Sequence, residues 1–327
     1  MLSRVANSIY WMSRYLERAE NVARFIGVNL NLTLDMAAAF GEQWGPLVNI
    51  TGDKDEFTKR YIEATRENVM HFLTFDLDNP NSIFSSVRRA RENARSVREI
   101  ISTEMWEQAN RSYLMVRDAA KNKSAMENPH DFYTAVKMQS HLFDGITEAT
   151  MSHGEAWHFL QVGELLERAD KTSRILDVKY FILLPDEQAV GTAIDNIQWA
   201  ALLKSASALE MYRKHSKRID PSKVADFLIL NRDFPRSIHS CLSRAVQSLH
   251  AISGSALGAF SNKAEQQMGR LLAELNYTQI DEIITGGLHE FLDSLQTRLN
   301  RVDDAVFDTF FALRPVGNVG TQQQSQS

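Results

Sequence analysis

The sequence predicts an all-α protein: an internally duplicated helical bundle with pseudo-two-fold halves and essentially no β-sheet. Three observations carry this. Apolar residues recur at spacings of three and four over long stretches, and helix breakers are few, with 15 Gly and 7 Pro in 327 residues. No Asn-Gly turn joins two alternating segments, as a tight hairpin would require. Finally, several segments of the first half recur in the second half in the same order.

The first element is a helix over 2–26, with Val5, Ile9, Met12, Leu16, Ala19, Ala23 and Ile26 on one stripe. It carries YLERAENVARF, residues 15–25. QWGPLVNI follows from Gln43, then FLTFDLDNPNSIFSSVRRA from Phe72. Pro80 suits the first position of the next helix, where a missing N–H costs nothing. That helix is expected over 83–105, on Ile83, Val87, Ala90, Ala94, Val97, Ile101 and Met105. Ser152 and Glu155 have capping-box spacing, opening a helix that carries LLERADKTSRI, residues 165–175. QWAALLKS from Gln198 and FLILNRDFPRSIHSCLSRA from Phe227 then repeat the earlier segments, with Pro235 matching Pro80. Asn262 with Glu265 has capping-box spacing, and Thr278 with Asp281 is a near variant. Residues 316–327 have no hydrophobic periodicity and are expected to be disordered.

The repeats keep register. Glu17 and Glu167 are 150 residues apart, while the later pairs are 155 apart. The extra residues are assigned to LLPDEQAVGTA, where Pro185 and Gly191 allow a longer connection. The halves are 1–150 and 151–315, and two copies are too few for a solenoid.

Composition excludes several function classes. A net charge of -5, from 36 basic and 41 acidic residues, gives no reason to expect nucleic acid or an anionic membrane as main partner. Cys241 is the only cysteine, which rules out an intrachain disulfide and a Cys-based zinc site. Arg4, Arg14, Glu17 and Arg18 come too early for an apolar signal core, and no run of about 18 apolar residues exists. A cytoplasmic protein without a membrane span is expected, and the sequons at Asn31, Asn49 and Asn276 read as chance.

The chain resembles the alpha-E family of bacterial all-helical domains, whose name refers to Glu-Arg motifs. The stretches that carry the resemblance are SIYWMSRYLERAENVARFIGVNLNLTLD, NPNSIFSSVRRARENARSVREIISTEMWEQAN, EAWHFLQVGELLERADKTSRILDVKY and FLILNRDFPRSIHSCL. They cover nearly everything but the tail. What the resemblance implies is a neighbourhood. Such domains are typically encoded beside, or fused to, a circularly permuted ATP-grasp protein, often with a transglutaminase-like peptidase and sometimes with a proteasome-like peptidase. That company implies ATP-dependent formation of amide or peptide bonds and its reversal. The resemblance carries no catalytic residue onto this chain.

The residues themselves offer one main candidate site. On a helix, Glu17, Glu20 and Arg24 fall within about 60° of one another. Arg14 and Arg18 lie on an adjoining strip. Glu20–Arg24, Glu164–Arg168 and Asp170–Arg174 are acid-before-base pairs four residues apart. As solvated salt bridges each is worth a few tenths of a kcal/mol. Tyr10, Trp11 and Phe25 share the polar side of the first helix, however, and that favours partial burial. A Glu-Arg lattice between the halves, which also takes in Glu167, is then the leading reading, ahead of ligand or partner recognition and of catalysis. Arg89 and Arg244 recur beside the apolar face and are expected to point inward.

Three further features could carry chemistry. Arg88, Arg91, Arg95 and Arg98 lie within about 80° on one helical face and offer guanidinium groups to phosphates or a peptide carboxylate. Glu92 and Glu99 share that face, so a solvated mixed-charge surface is the stronger reading. Ser82 and Ser237, after the repeated prolines, could assist an anion at a helix start. Trp106 is a recognition anchor or a packed residue. A di-iron bundle needs two Glu-x-x-His pairs, and Glu155 with His158 is the one present. There is no phosphate-binding Gly-rich loop and no nucleophile elbow. No metal and no cofactor are expected.

Three functions remain open at this level. The first is a component of an ATP-grasp-linked amide or peptide ligase system, binding the ligase or its acceptor peptide through the duplicated Glu-Arg helices. The second is a stand-alone enzyme acting on peptide or amide bonds. A catalytic Glu needs a raised pKa, whereas neighbouring Arg lowers it, so catalysis ranks behind binding. The third is a homodimeric structural scaffold.

Overall fold

The computed structural model describes residues 1–40, 44–122, 127–182 and 192–312. Among them no strand is present, and the regular elements are helices. In chain order these are α1 (Ser3–Phe40), α2 (Gly45–Thr51), α3 (Lys54–Thr58), α4 (Arg66–Thr74), α5 (Ile83–Ser96), α6 (Thr103–Asn122) and α7 (Pro129–Thr150). Then come α8 (Glu155–Ile182), α9 (Ala193–Ser205), α10 (Leu209–His215), α11 (Pro221–Ile229), α12 (Ile238–Ser253), α13 (Lys263–Tyr277), α14 (Ile280–Gly286) and α15 (Leu288–Val306), which runs into a wider turn at Phe307–Phe311.

The two long helices α1 and α8 pack against each other at the centre. α5 and α7 flank α1, and α12 and α15 flank α8. α6 covers α5 and α7, and α13 covers α12 and α15. The short helices cross over: α2 packs on α8, and α9 packs on α1. One apolar core runs through all of this, from Ile9, Met12 and Leu16 to Leu165, Leu242 and Leu292. No helix among the described residues is long and apolar enough to cross a membrane.

The crossing of α1 and α8 is close because Gly163 permits it. A Cβ there would stand 2.4 Å from the carbonyl oxygen of Tyr10. Beside it, Ser13 Oγ donates to Leu160 O at 2.8 Å. Ser13 and Gly163 are also 150 residues apart, so matched positions form the crossing point.

Several local expectations are corrected. α1 runs well past residue 26. The expected helix over 83–105 is two helices: α5 ends at Ser96, and Ser102 Oγ accepts from Met105 N at 3.1 Å to start α6. The backbone tightens there, with Val97 N bonding Ala94 O at 3.2 Å and Ile100 N bonding Val97 O at 2.9 Å, and a capping serine follows directly. Pro80 and Pro235 precede the helix starts, while Ser82 and Ser237 are the N-caps, accepting from Ser85 N and Ser240 N. Those hydroxyls are therefore committed to their own helices. α8 opens on Glu155 itself, without a cap from Ser152. Asn262 caps α13 through Glu265 N at 3.0 Å. Thr278 ends that helix, and Gln279 with Glu282 starts α14 one residue later than expected. The tail 316–327, Gln43 and most of the longer connection lie outside the described residues.

Candidate functional site: a buried Glu-Arg lattice and its open edge

The two LERA motifs meet where α1 crosses α8. Glu17, Glu20 and Glu167 are 2%, 1% and 0% exposed, so the motif is not a solvated face. Arg168 forks onto Glu17, Nε to Oε1 at 3.0 Å and Nη2 to Oε2 at 2.8 Å. Arg18 forks onto Glu167 in the same way, at 2.7 and 2.9 Å. Each Arg that follows a motif Glu thus grips the Glu of the other motif. Planar forks of this kind are the strong form of the ion pair.

The pairs within each helix complete the lattice. Arg24 pairs with Glu20, Arg168 with Glu164 and Arg174 with Asp170, as their spacing requires. Arg14 reaches Glu167 at 3.0 Å and also Asp303 of α15, where Tyr10 donates its hydroxyl to the same carboxylate. Lys171 lies 3.1 Å from Asp170 and 3.5 Å from Glu167.

Arg236 is the main residue that the sequence analysis did not single out. It is buried, and it bonds Glu17 at 3.0 Å and Glu20 at 2.7 Å. It occupies the place of Asn81 in the repeat, so a search for recurring residues passes over it. Asn81 itself accepts from Arg18 at 2.8 Å and donates to Asp53 at 2.7 Å. Asn21 donates to Glu17 at 2.8 Å. Arg89 and Arg244, expected to point inward, are exposed. Each stands about 100° round the helix from a buried alanine, which takes it off the apolar stripe. Arg89 lies over the Tyr15 ring, 5.6 Å from its centre, and Arg244 donates to Gln161 at 3.2 Å.

The electrostatics follow from burial and pairing. Burial pushes the Glu17 carboxyl up, but Arg168 and Arg236 outweigh it and hold the group down at about 2. For Glu167, burial is likewise outweighed by Arg18, Lys171 and Arg14, which hold it well below the usual range. Asp170 is held down against burial by Lys171 and Arg174. Asp144 on α7 behaves oppositely. It keeps some contact with solvent, yet burial and then Glu164 push its carboxyl well above the usual range. Cys241 is buried, and its thiol is pushed up to about 12 by that burial. Among the described residues, no group of three or more His, Cys, Asp or Glu could hold a metal ion.

The lattice has two unlike edges. At one, Arg24 gives Nη1 to Ser207 and Nη2 to Glu20, and Arg236 bridges Glu17 and Glu20. At the other, the matched positions are Arg174, Gly52 and Asn81. Arg174 engages Asp170 through Nε alone, and its two terminal nitrogens have no acceptor among the described residues. Gly52 lies in the left-handed region at φ 79°, and a Cβ there would stand 2.9 Å from Arg174 Nη1. Beside this edge is a polar cavity of about 240 Å³. Arg14, Arg18, Lys171 and Arg174 line it, with Asp170 and Asp303 opposing them.

Comparison with known proteins agrees with the motif. A family model described as "a predicted alpha-helical domain with a conserved ER motif" matches residues 1–311. Uncharacterised proteins of Mycobacterium bovis and of two Mycobacterium tuberculosis strains are 22% identical over 95% of this chain. The match spans 37% of the length of those relatives. No solved structure matches.

Proposed function

The chain belongs to the alpha-E family, and from that premise we propose that it is a cytoplasmic, non-catalytic component of an ATP-grasp-linked amide or peptide ligase system. Its partners on this reading are the ATP-grasp-type ligase and a transglutaminase-like peptidase, and the acceptor is a peptide. The observation that carries the binding role is the open edge of the lattice. Arg174 presents two unengaged guanidinium nitrogens into a polar cavity rich in cations, which suits a peptide carboxylate. The lattice behind it fixes the position of those cations, since forked pairs on two long helices leave them little freedom.

Catalysis by the motif has little support. Glu17 and Glu167 are held ionised by Arg, and a carboxylate at about 2 is a weak base at neutral pH. One observation favours the reading of a stand-alone enzyme on peptide or amide bonds: Asp144 stands beside the lattice, and burial and then Glu164 push its carboxyl up. The scaffold reading draws on the burial of the motifs themselves.

The test is affinity capture of the tagged chain from its native cells, run for the wild type and for Arg174→Gln. Recovery of an ATP-grasp protein with the wild type is expected, with acceptor peptide lost from the variant. A wild-type bait that emerges without an ATP-grasp protein overturns the reading.

A further inference from the structure

A second concave surface lies between α1, α5 and α6, with a volume of about 610 Å³, inside the usual range of ligand sites of about 300–1,000 Å³. Trp11, Tyr15 and Tyr113 form its apolar wall. Their ring faces are already covered by guanidinium groups. Arg14 lies 4.9 Å from the Trp11 centroid, Arg89 5.6 Å from Tyr15 and Arg91 4.8 Å from Tyr113. Stacking leaves the N–H edges of a guanidinium available. Arg14 gives its edges to Glu167 and Asp303, and Arg91 gives its own to Asn110 and Glu92, which leaves Arg89 with edges unspent among the described residues.

The charge is unbalanced. Arg88 and Arg89 are exposed and have no ion-pair partner among the described residues. Glu92 is the acid in the lining, and Arg91 and Arg95 hold it at 2.7 and 2.9 Å. The groove also asks for a donor: Asn7 Oδ1 is buried without a hydrogen-bond partner. A buried acceptor left unmatched costs free energy that an incoming N–H recovers.

We propose that this groove docks an acidic peptide segment of a partner protein, with Arg88 and Arg89 taking its carboxylates and Asn7 taking a backbone N–H. A peptide supplies both the anion and the donor. Phosphate brings no N–H to Asn7, and single-stranded nucleic acid needs open ring faces for stacking, which the guanidinium groups occupy. The surface is separate from the cavity at Arg174, so it stands or falls by itself.

The experiment uses the full chain and two pools of fluorescent hexapeptides, acetylated and amidated at their ends. One pool carries Glu at two fixed positions, the other Gln. Anisotropy is expected to show binding of the Glu pool about tenfold tighter than the Gln pool, weakening as salt rises. Arg88→Gln with Arg89→Gln is expected to weaken the Glu pool about tenfold, with the melting temperature unchanged, because both side chains are exposed. Asn7→Leu is expected to weaken both pools. Equal binding of the two pools overturns the proposal. So does a double variant that binds like the wild type, or a preference for a dT oligonucleotide over the Glu pool.

Discussion

The Arg24 edge and the Arg174 edge of the lattice are built on matched positions and end differently. At the first, Ser207 and Arg236 reach in, and both terminal nitrogens of Arg24 are taken. At the second, Gly52 and Asn81 stand in their places, and the terminal nitrogens of Arg174 are left facing a cavity. Two short side chains in place of two longer ones separate an edge whose terminal guanidinium nitrogens are taken, though Arg24 Nε is buried without a partner, from a receptive one. A recurring motif supplies the frame, and the residues that do not recur decide what the frame offers.

Acid is expected to break both edges together, and this is the largest effect. Glu17, Glu167 and Asp170 have carboxyls held below their ordinary values in the folded chain. The unfolded chain therefore takes up protons first as the pH falls. The stabilisation is complete above about 4.5, the ordinary glutamate value, and is lost as the pH drops toward about 2. Melting temperature recorded against pH should fall steeply as the pH drops through that window; above it Asp144, whose carboxyl is pushed up in the folded chain, works the other way and lowers stability as it ionises. A flat profile down to pH 3 would mean that the lattice adds little to stability.

The next effect distinguishes the two motifs. Glu167→Gln leaves Arg18 with no acid, because its remaining bond is to Asn81. Glu17→Gln leaves Arg168 its Glu164 and Arg236 its Glu20. Arg18 is part-buried and lines the cavity, so stranding it costs less than the about 3–5 kcal/mol of a fully buried charge. Denaturant midpoints should show Glu167→Gln as the more costly change, and the reverse order would refute the pairing described.

The smallest effect tests the edges by exchange. Gly52→Ser forces a side chain into the left-handed region and against Arg174, and is expected to cost about 1–2 kcal/mol. Ser207→Gly relieves a serine held at φ 52° while losing its bond to Arg24, and these nearly cancel. Denaturation of the two variants side by side checks the asymmetry.

Much of this was legible in the sequence, but unevenly. The pairs Glu20–Arg24, Glu164–Arg168 and Asp170–Arg174 lie on one helix each, so spacing alone gives them. The aromatic residues beside Glu17 signalled burial. The forks between Glu17 and Arg168, and between Glu167 and Arg18, join residues on different helices, and no wheel drawn for one helix contains them. Arg236 and Asp303 lacked any signal, because neither recurs and neither sits in a motif. Arg89 and Arg244 recur, but recurrence does not imply inward placement. Their place about 100° off the buried alanines was the better guide. The break at Val97 was hidden by a periodicity that continues through the turn, since Ile101 and Met105 are buried on both sides of it.

The contact at Gly163 also orders events in time. Glu17, Arg14 and Arg18 are made early, and their partners on α8 and in the turn before α12 come some 150 residues later or more. At about 5–20 residues per second, a ribosome takes roughly 10 to 30 seconds to cover that distance. Until then the first motif has water, its own helix and, through Arg18, Asn81 for company, and Glu17 has none of its arginine partners. The centre of the protein closes late, when a backbone without a side chain slides over Tyr10 and brings the second set of charges to the first.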